Sequence, residues 1–263
     1  DSINYAQRIQ TAVLPEVSEI KKHLPESFVL YKPKDIVSGD FYYFHLSKKL
    51  HPVLGTAPML IAVADCTGHG VPGALMSVIS YQKLDETVNL LMEPKNILKR
   101  LNKRIKSALK QTSVESSSHD GLDIALVTLN KSDDDTTRVK YAGANRPVWI
   151  IKSLQGGNNS YTLEEIKATK APIGGFTEKN QDFEQHELIF KKGDVFYLFS
   201  DGYADQFGGN RQKKLTSKRL KEVFLSIQEL SMDEQHDYLD KFITDWRGDS
   251  EQVDDILIIG IKC

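Results

Sequence analysis

Cysteine is scarce: Cys66 and Cys263 are the only two in 263 residues. A disulfide framework is excluded, and a reducing cytoplasmic compartment is the expectation. Long apolar runs are also missing. The best of them, 59–64 and 195–199, fall far short of the ~20 residues that a bilayer-crossing helix needs. No basic segment leading into an apolar one opens the sequence, so nothing suggests secretion. Neither sign of charge dominates, with Lys+Arg 34 against Asp+Glu 36, which removes any whole-surface argument for nucleic acid or an anionic membrane. No HExxH or CxxC pattern marks a zinc site, and no Cys-x5-Arg loop marks a thiol phosphatase. The first residue is not Met, which suggests a piece of a longer protein.

What is present suits an ordinary globular chain of one domain or two small ones, 40% hydrophobic and able to bury a substantial core. The first fourteen residues read as a helix capped by Asp1 or Ser2, with Ile3, Ala6, Ile9, Gln10 and Val13 at three- and four-residue steps. Pro15 interrupts it, and a second short helix is expected over 16–24 before Pro25. The apolar stripe of the first helix has to pack on something, either its own domain or a dimer seam that carries a signal.

Beyond residue 25 the pattern turns to short strands, expected at 28–31, 41–46, 59–64, 124–129, 139–142, 148–151, 161–166, 183–188, 195–199 and 256–261. Helices are expected over 73–91, 94–109, 217–227 and 233–246, and loops over 112–121, 155–160 and 207–214. Helices come in pairs rather than one after every strand. The fold class implied is α+β, two packed antiparallel sheets flanked by helices.

The aspartates carry the chemical information. Asp40 follows Ser38 and Gly39 and opens an aromatic strand; Asp65 ends the run 60–64; Asp201 ends 195–200 and precedes Gly202; Asp254 and Asp255 stand before the last strand. Each is a short carboxylate at the end of a hydrophobic strand beside small residues. Any one of them is unremarkable. If four converge, repulsion at ~4 Å is worth several kcal/mol per pair at an effective dielectric of ~20, so protons or cations must neutralise them. Two divalent ions would match four aspartates. Oxygen donors without a His or Cys set select Mg²⁺ or Mn²⁺ over Zn²⁺, and two such ions sharing a carboxylate activate water for attack at phosphorus.

One motif competes with this reading. Residues 68–73 match GxGxxG after a strand and before a helix. A dinucleotide site then needs a second strand and an acid about 20 residues on. The helical pattern instead continues and leaves Asp85 and Glu86 in mid-helix.

With Ser38-Gly39-Asp40, Ala64-Asp65-Cys66-Thr67-Gly68-His69-Gly70, Ser200-Asp201-Gly202 and Asp254-Asp255-Ile256 in this order, the chain resembles the PPM class of metal-dependent Ser/Thr protein phosphatases, closest to its bacterial SpoIIE-like branch. The opening helix ending in Leu14-Pro15 looks like the linker of sensor phosphatases, which implies a helical linker at 1–24, a phosphatase domain at 25–263, an upstream sensor domain and a possible homodimer. The resemblance implies that Asp65 bridges two Mn²⁺ or Mg²⁺ ions, that Asp40 and the Cys66 carbonyl complete one site, and that Asp201 and Asp254 complete the other. It gives Asp255 a water-mediated part, Asp123 a place at a third ion, and Asp205 a supporting part. His69 is a candidate general acid, although its spacing from Asp65 differs from the eukaryotic branch; Arg146 reads first as a hairpin residue. The implied substrate is a phosphorylated protein of the anti-anti-sigma (STAS) type. A phosphatase-fold scaffold with little turnover is the alternative.

Overall fold

A computed structural model of the chain describes residues 2–50, 55–90, 92–111, 118–131, 136–153 and 160–263. Asp1 and most of the loops expected over 112–121 and 155–160 lie outside them. Two helices open the chain, α1 (Ser2–Val13) and α2 (Val17–His23). Strands β1 (Ser27–Lys32), β2 (Asp40–Leu46) and β3 (Met59–Cys66) follow, then helices α3 (Gly70–Val88) and α4 (Pro94–Ala108). Next come β4 (Gly121–Lys131), β5 (Thr136–Ala144), β6 (Val148–Ser153), β7 (Tyr161–Ile166), β8 (Ile173–Gly174), β9 (Gln185–Lys191) and β10 (Val195–Phe199). A single turn α5 (Gly202–Asp205), a small hairpin β11 (Phe207–Gly208) with β12 (Lys213–Lys214), helices α6 (Ser217–Ser226) and α7 (Met232–Arg247), and strand β13 (Ile256–Lys262) complete it.

The strands form two main antiparallel sheets, ordered β1-β13-β10-β6-β7 and β2-β3-β4-β5-β9, with β8 added to β4. Side chains alternate across each strand, so each sheet has an inner and an outer face. The inner faces meet in one core that holds Tyr42, Ile61, Val63, Val127, Ile150, Leu198, Leu257 and Ile259. The outer face of the second sheet packs Phe41, Leu60 and Ala62 with Leu84, Leu98 and Leu101 of α3 and α4. The outer face of the first packs Trp149, Tyr197 and Ile258 with Leu220, Phe224 and Leu239 of α6 and α7. The expected helix–sheet–sheet–helix sandwich is therefore found. Ile20 and Leu24, at and just after α2, are buried in the inter-sheet core.

Four expectations need correction. Helix α3 starts at Gly70 rather than 73, because the first turn has no intrahelical use for its N–H groups and tolerates Pro72. The strand expected over 183–188 runs from Gln185 to Lys191 instead. Phe183 is buried against the α3–α4 side without joining the ladder. The loop expected over 207–214 contains the β11–β12 hairpin. In α1 the deeply buried side chain is Gln10, 6% exposed, whereas Ile9 is 46% exposed.

Gln10 earns its burial by satisfying every polar atom it brings. Its Nε2 donates to the Ser38 carbonyl at 2.6 Å and to Ser77 Oγ at 2.8 Å, and its Oε1 accepts the Ser38 N–H at 3.0 Å. An otherwise exposed helix is thereby pinned to the segment that leads into Asp40. Gln10→Ala should destabilise the protein by about 1–3 kcal/mol, since it orphans buried partners, while Ile9→Ala should change stability by less than ~0.5 kcal/mol. Denaturant unfolding of the two variants checks the contrast.

Candidate active site

Strand register brings the acids together. Asp40 lies directly opposite Asp65 across β2–β3, and Asp65 lies directly opposite Asp123 across β3–β4. All three share the face of Tyr42, Val63 and Ala125, so they continue the inter-sheet core at the end of the sandwich. Like charges opposed on neighbouring strands repel. The other sheet delivers Asp201 just beyond β10, and Asp254 and Asp255 just before β13. Backbones meet here because side chains are missing. A Cβ on Gly39 would lie 2.3 Å from the Gly68 carbonyl oxygen, and one on Gly202 would lie 2.0 Å from that of Asp255.

The cation among these acids is Arg146, on the β5–β6 turn. Its Nη2 lies 2.6 Å from Asp201 Oδ2, 2.9 Å from Asp65 Oδ2 and 3.5 Å from Asp123 Oδ2. The preceding residue, Asn145, donates to Asp123 Oδ1 at 2.8 Å. Arg146, Asp65, Asp123, Asp201 and Asp254 line one open cavity of about 290 Å³. Sequence reasoning missed Arg146 as a site residue. Its signal was position alone: a turn at the sheet end where Asp65 and Asp123 also stand.

The remaining candidates divide. Asp255 is 2% exposed and accepts the N–H groups of Lys34 and Gly39, each at 2.7 Å, which fixes the loop before Asp40. Asp254 accepts the N–H of Asp255 at 2.9 Å and faces the cavity. The Cys66 thiol points away, into the α3 side, with Ser80 Oγ at 3.8 Å, so only its backbone could serve as a ligand. Burial pushes that thiol well above its ordinary pKa, which disfavours the reactive thiolate. His69 is on the cavity wall, its Nδ1 3.0 Å from Asp35 Oδ2 and its Nε2 3.2 Å from Lys34 Nζ. Asp205 is not brought to the cluster: it sits a helical turn past Asp201 and pairs with Lys214 at 2.8 Å. His119 and Phe176, stacked 4.1 Å apart, form a cavity wall that sequence reasoning did not foresee.

The electrostatics show how much positive charge the site still needs. Burial, then the neighbouring Asp65, pushes the Asp40 carboxyl well above the usual range. Asp65 is pushed up to about 7 by burial and by Asp201, Asp254 and Asp123, even though Arg146 works against the rise. Burial also raises Asp123 and Asp254. Asp40 Oδ2 is buried without a hydrogen-bond partner among the described residues. One guanidinium thus leaves the carboxylates under-neutralised. The donors are all oxygen and one lone pair is unused, a set that fits hard divalent cations. Among the described residues no three His, Cys, Asp or Glu side chains already surround one point as metal ligands. Arg146 stands between those that would have to close in.

The family model described as Stage II sporulation protein E (SpoIIE) matches residues 56–263. The chain belongs to that family. Among curated relatives, phosphoserine phosphatase RsbU of Bacillus subtilis (strain 168) is 29% identical over 174 residues, which span 66% of this chain and 44% of RsbU. The match therefore covers less than half of that relative. The SiaA-PP2C domain of Pseudomonas aeruginosa superposes with a TM-score of 0.82 at 28% identity, over 100% of this chain and 96% of the other. RsbX in complex with magnesium shares the fold, with a TM-score of 0.57 at 17% identity, over 90% and 94% of the two chains.

Asp65→Asn gives a test of this charge balance, because asparagine is permanently uncharged. A carboxyl with a raised folded pKa is at ease while protonated and penalises folding as pH climbs from its unfolded value toward 7. In chelator, the melting temperature of Asp65→Asn minus that of the parent should therefore grow from pH 5 to pH 8. Thermal melts across that range check it; a difference that shrinks with rising pH contradicts it.

Proposed function

We propose that this member of the SpoIIE family is a metal-dependent protein phosphatase that hydrolyses phosphoserine and phosphothreonine, acting as the effector domain of a bacterial signalling protein. The observation that carries the reading is the row Asp40–Asp65–Asp123 across three adjacent strands, met from the other sheet by Asp201 and Asp254. The relatives' phosphatase names support it.

On this reading Asp40, Asp65 and the Cys66 carbonyl would hold one Mn²⁺ or Mg²⁺, and Asp65, Asp201 and Asp254 would hold a second. Asp123 is available to a third. When bound, such ions supply positive charge opposite the phosphoryl oxygens and a water acidic enough to act as nucleophile near neutral pH. The chain's own residues do the rest. Asp255 holds the loop that aims Asp40. Thr67 holds the start of β4, its N–H and Oγ1 donating to the Gly121 carbonyl at 2.9 and 3.0 Å, while its Oγ1 accepts the Gly121 N–H. This fixes the loop after Asp65. His69, on the cavity wall with Asp35 at its Nδ1 and Lys34 at its Nε2, is the candidate general acid for the leaving serine or threonine oxygen. The His119–Phe176 stack offers an apolar wall to the residues flanking the phosphoserine.

The substrate class proposed is a phosphorylated STAS-type protein of a partner-switching system. Residues 1–24 are proposed as the regulatory segment that joins an upstream sensor, with a homodimer as one arrangement. Among the described residues no helix is long and apolar enough to cross a membrane.

Asp65→Ala and Asp201→Ala should each lower Mn²⁺-dependent hydrolysis of a phosphoserine protein by about 100-fold or more, with circular dichroism unchanged. Full activity in both variants rejects the mechanism. A parent protein that binds Mn²⁺ yet shows no turnover on phosphoprotein or on a phosphopeptide would instead mark a scaffold with the phosphatase fold.

A further inference from the structure

We propose that Arg146 is a built-in counter-ion that a divalent cation must displace, so that one side chain both stabilises the metal-free protein and weakens its hold on metal. The inference rests on reading the acidic cluster as a dication site.

Three observations carry it. First, a single nitrogen does the bridging. Nη2 reaches Asp65 and Asp123 on one sheet and Asp201 on the other, at 2.9, 3.5 and 2.6 Å. An arginine built as a permanent ion pair presents its planar fork and makes two parallel bonds to one carboxylate. Here the side chain goes in end-on. Its Nε is buried with no hydrogen-bond partner among the described residues, and a buried donor without an acceptor is costly. The guanidinium is held at one nitrogen, by charge-assisted bonds from Nη2 to Asp65 and Asp201, while Nε adds none.

Second, the atoms it uses are the ones a metal needs. A hard divalent ion such as Mg²⁺ binds carboxylate oxygens at about 2.0–2.1 Å. A cation taking Asp65 Oδ2 and Asp201 Oδ2 together would need the lone pairs that now receive Nη2. It would also stand beside a like charge. The two occupants exclude each other at that position.

Third, the backbone of Arg146 is fixed and its side chain is the part free to move. The Arg146 carbonyl accepts the Tyr141 hydroxyl at 2.6 Å, and its N–H donates to the Ala144 carbonyl at 2.7 Å. Asn145 stays anchored on Asp123, and Pro147 follows with its backbone φ locked. Displacement is therefore a change of side-chain rotamer into the open cavity that Arg146 already lines, with no rearrangement of the turn. Arg146 thus acts as a positioning residue for the carboxylates in the metal-free state and as a competitor during loading.

The test compares the parent with Arg146→Gln and Arg146→Lys by calorimetric Mn²⁺ titration and by melting with and without chelator. Arg146→Gln should bind Mn²⁺ about 10-fold or more tightly and melt lower than the parent in chelator, with the deficit closing in saturating Mn²⁺. Arg146→Lys, which keeps the charge, should stay near the parent in affinity. Equal or weaker Mn²⁺ binding by Arg146→Gln, or a deficit that Mn²⁺ does not close, overturns the proposal. The unmutated protein gives a second readout should Arg146→Gln fail to fold. The Arg146 Nε–H signal in ¹⁵N NMR should shift and narrow on saturation with diamagnetic Mg²⁺. An unchanged signal in Mg²⁺-bound protein overturns the proposal too. If the parent and both variants bind no divalent ion at all, the phosphatase reading falls and this inference falls with it; if the parent binds and Arg146→Gln binds no tighter, only this inference falls.

Discussion

A row of carboxylates facing one another across three neighbouring strands cannot stay charged without cations. That constraint organises this end of the molecule. Asp40, Asp65 and Asp123 occupy the inner face where, two residues further along each strand, the chain places tyrosine, valine and alanine. The sandwich brings its hydrophobic core up to this row and ends it with charge. Everything near the row answers the same electrostatic demand. Asp65 is pushed up to about 7, burial and Asp65 raise Asp40 well above the usual carboxylate range, and Arg146 reaches in from the next turn.

The rest of the fold can be understood as what holds that row in place. The β2–β3–β4 ladder fixes the spacing, and the outer faces are locked by two helical layers. Asp255 spends both carboxylate oxygens on the N–H groups of Lys34 and Gly39, so it serves the backbone while Asp254, its neighbour, faces the cavity. Gln10 grips Ser38 from the opposite side. The loop before Asp40 is thus clamped between the last strand and the first helix. A displacement of α1 would be felt two residues from a proposed metal ligand, which gives the regulatory part proposed for residues 1–24 a physical route.

Much of this was legible in the sequence, for identifiable reasons. Strand-end aspartates stand out because hydrophobic runs stop at them, and paired helices between strands indicate the layered α+β class. Pairing is another matter. Asp123 is marked only by the family resemblance, and its place beside Asp65 emerges once β4 is laid against β3 in one particular register. Arg146 reads as a hairpin residue because its three partners lie 81, 23 and 55 positions away, at Asp65, Asp123 and Asp201. Asp205 misleads for the opposite reason: closeness to Asp201 in sequence turns into divergence once one helical turn intervenes. Ile9 and Gln10 invert the usual rule, since three buried hydrogen bonds hold a glutamine inside more firmly than adjacency to an apolar stripe holds an isoleucine. The segments β8 and α5 are too short to carry a period at all.

The central claim is that cations complete this cluster. A crystal structure of the protein grown with Mn²⁺, with anomalous scattering measured at the manganese edge, tests it most directly. The account predicts two peaks, one touching Asp40 and Asp65 and one touching Asp65, Asp201 and Asp254, with the Arg146 guanidinium moved off Asp65 and Asp201. Peaks only at other places, or no peaks with Arg146 still bridging the two sheets, would contradict it.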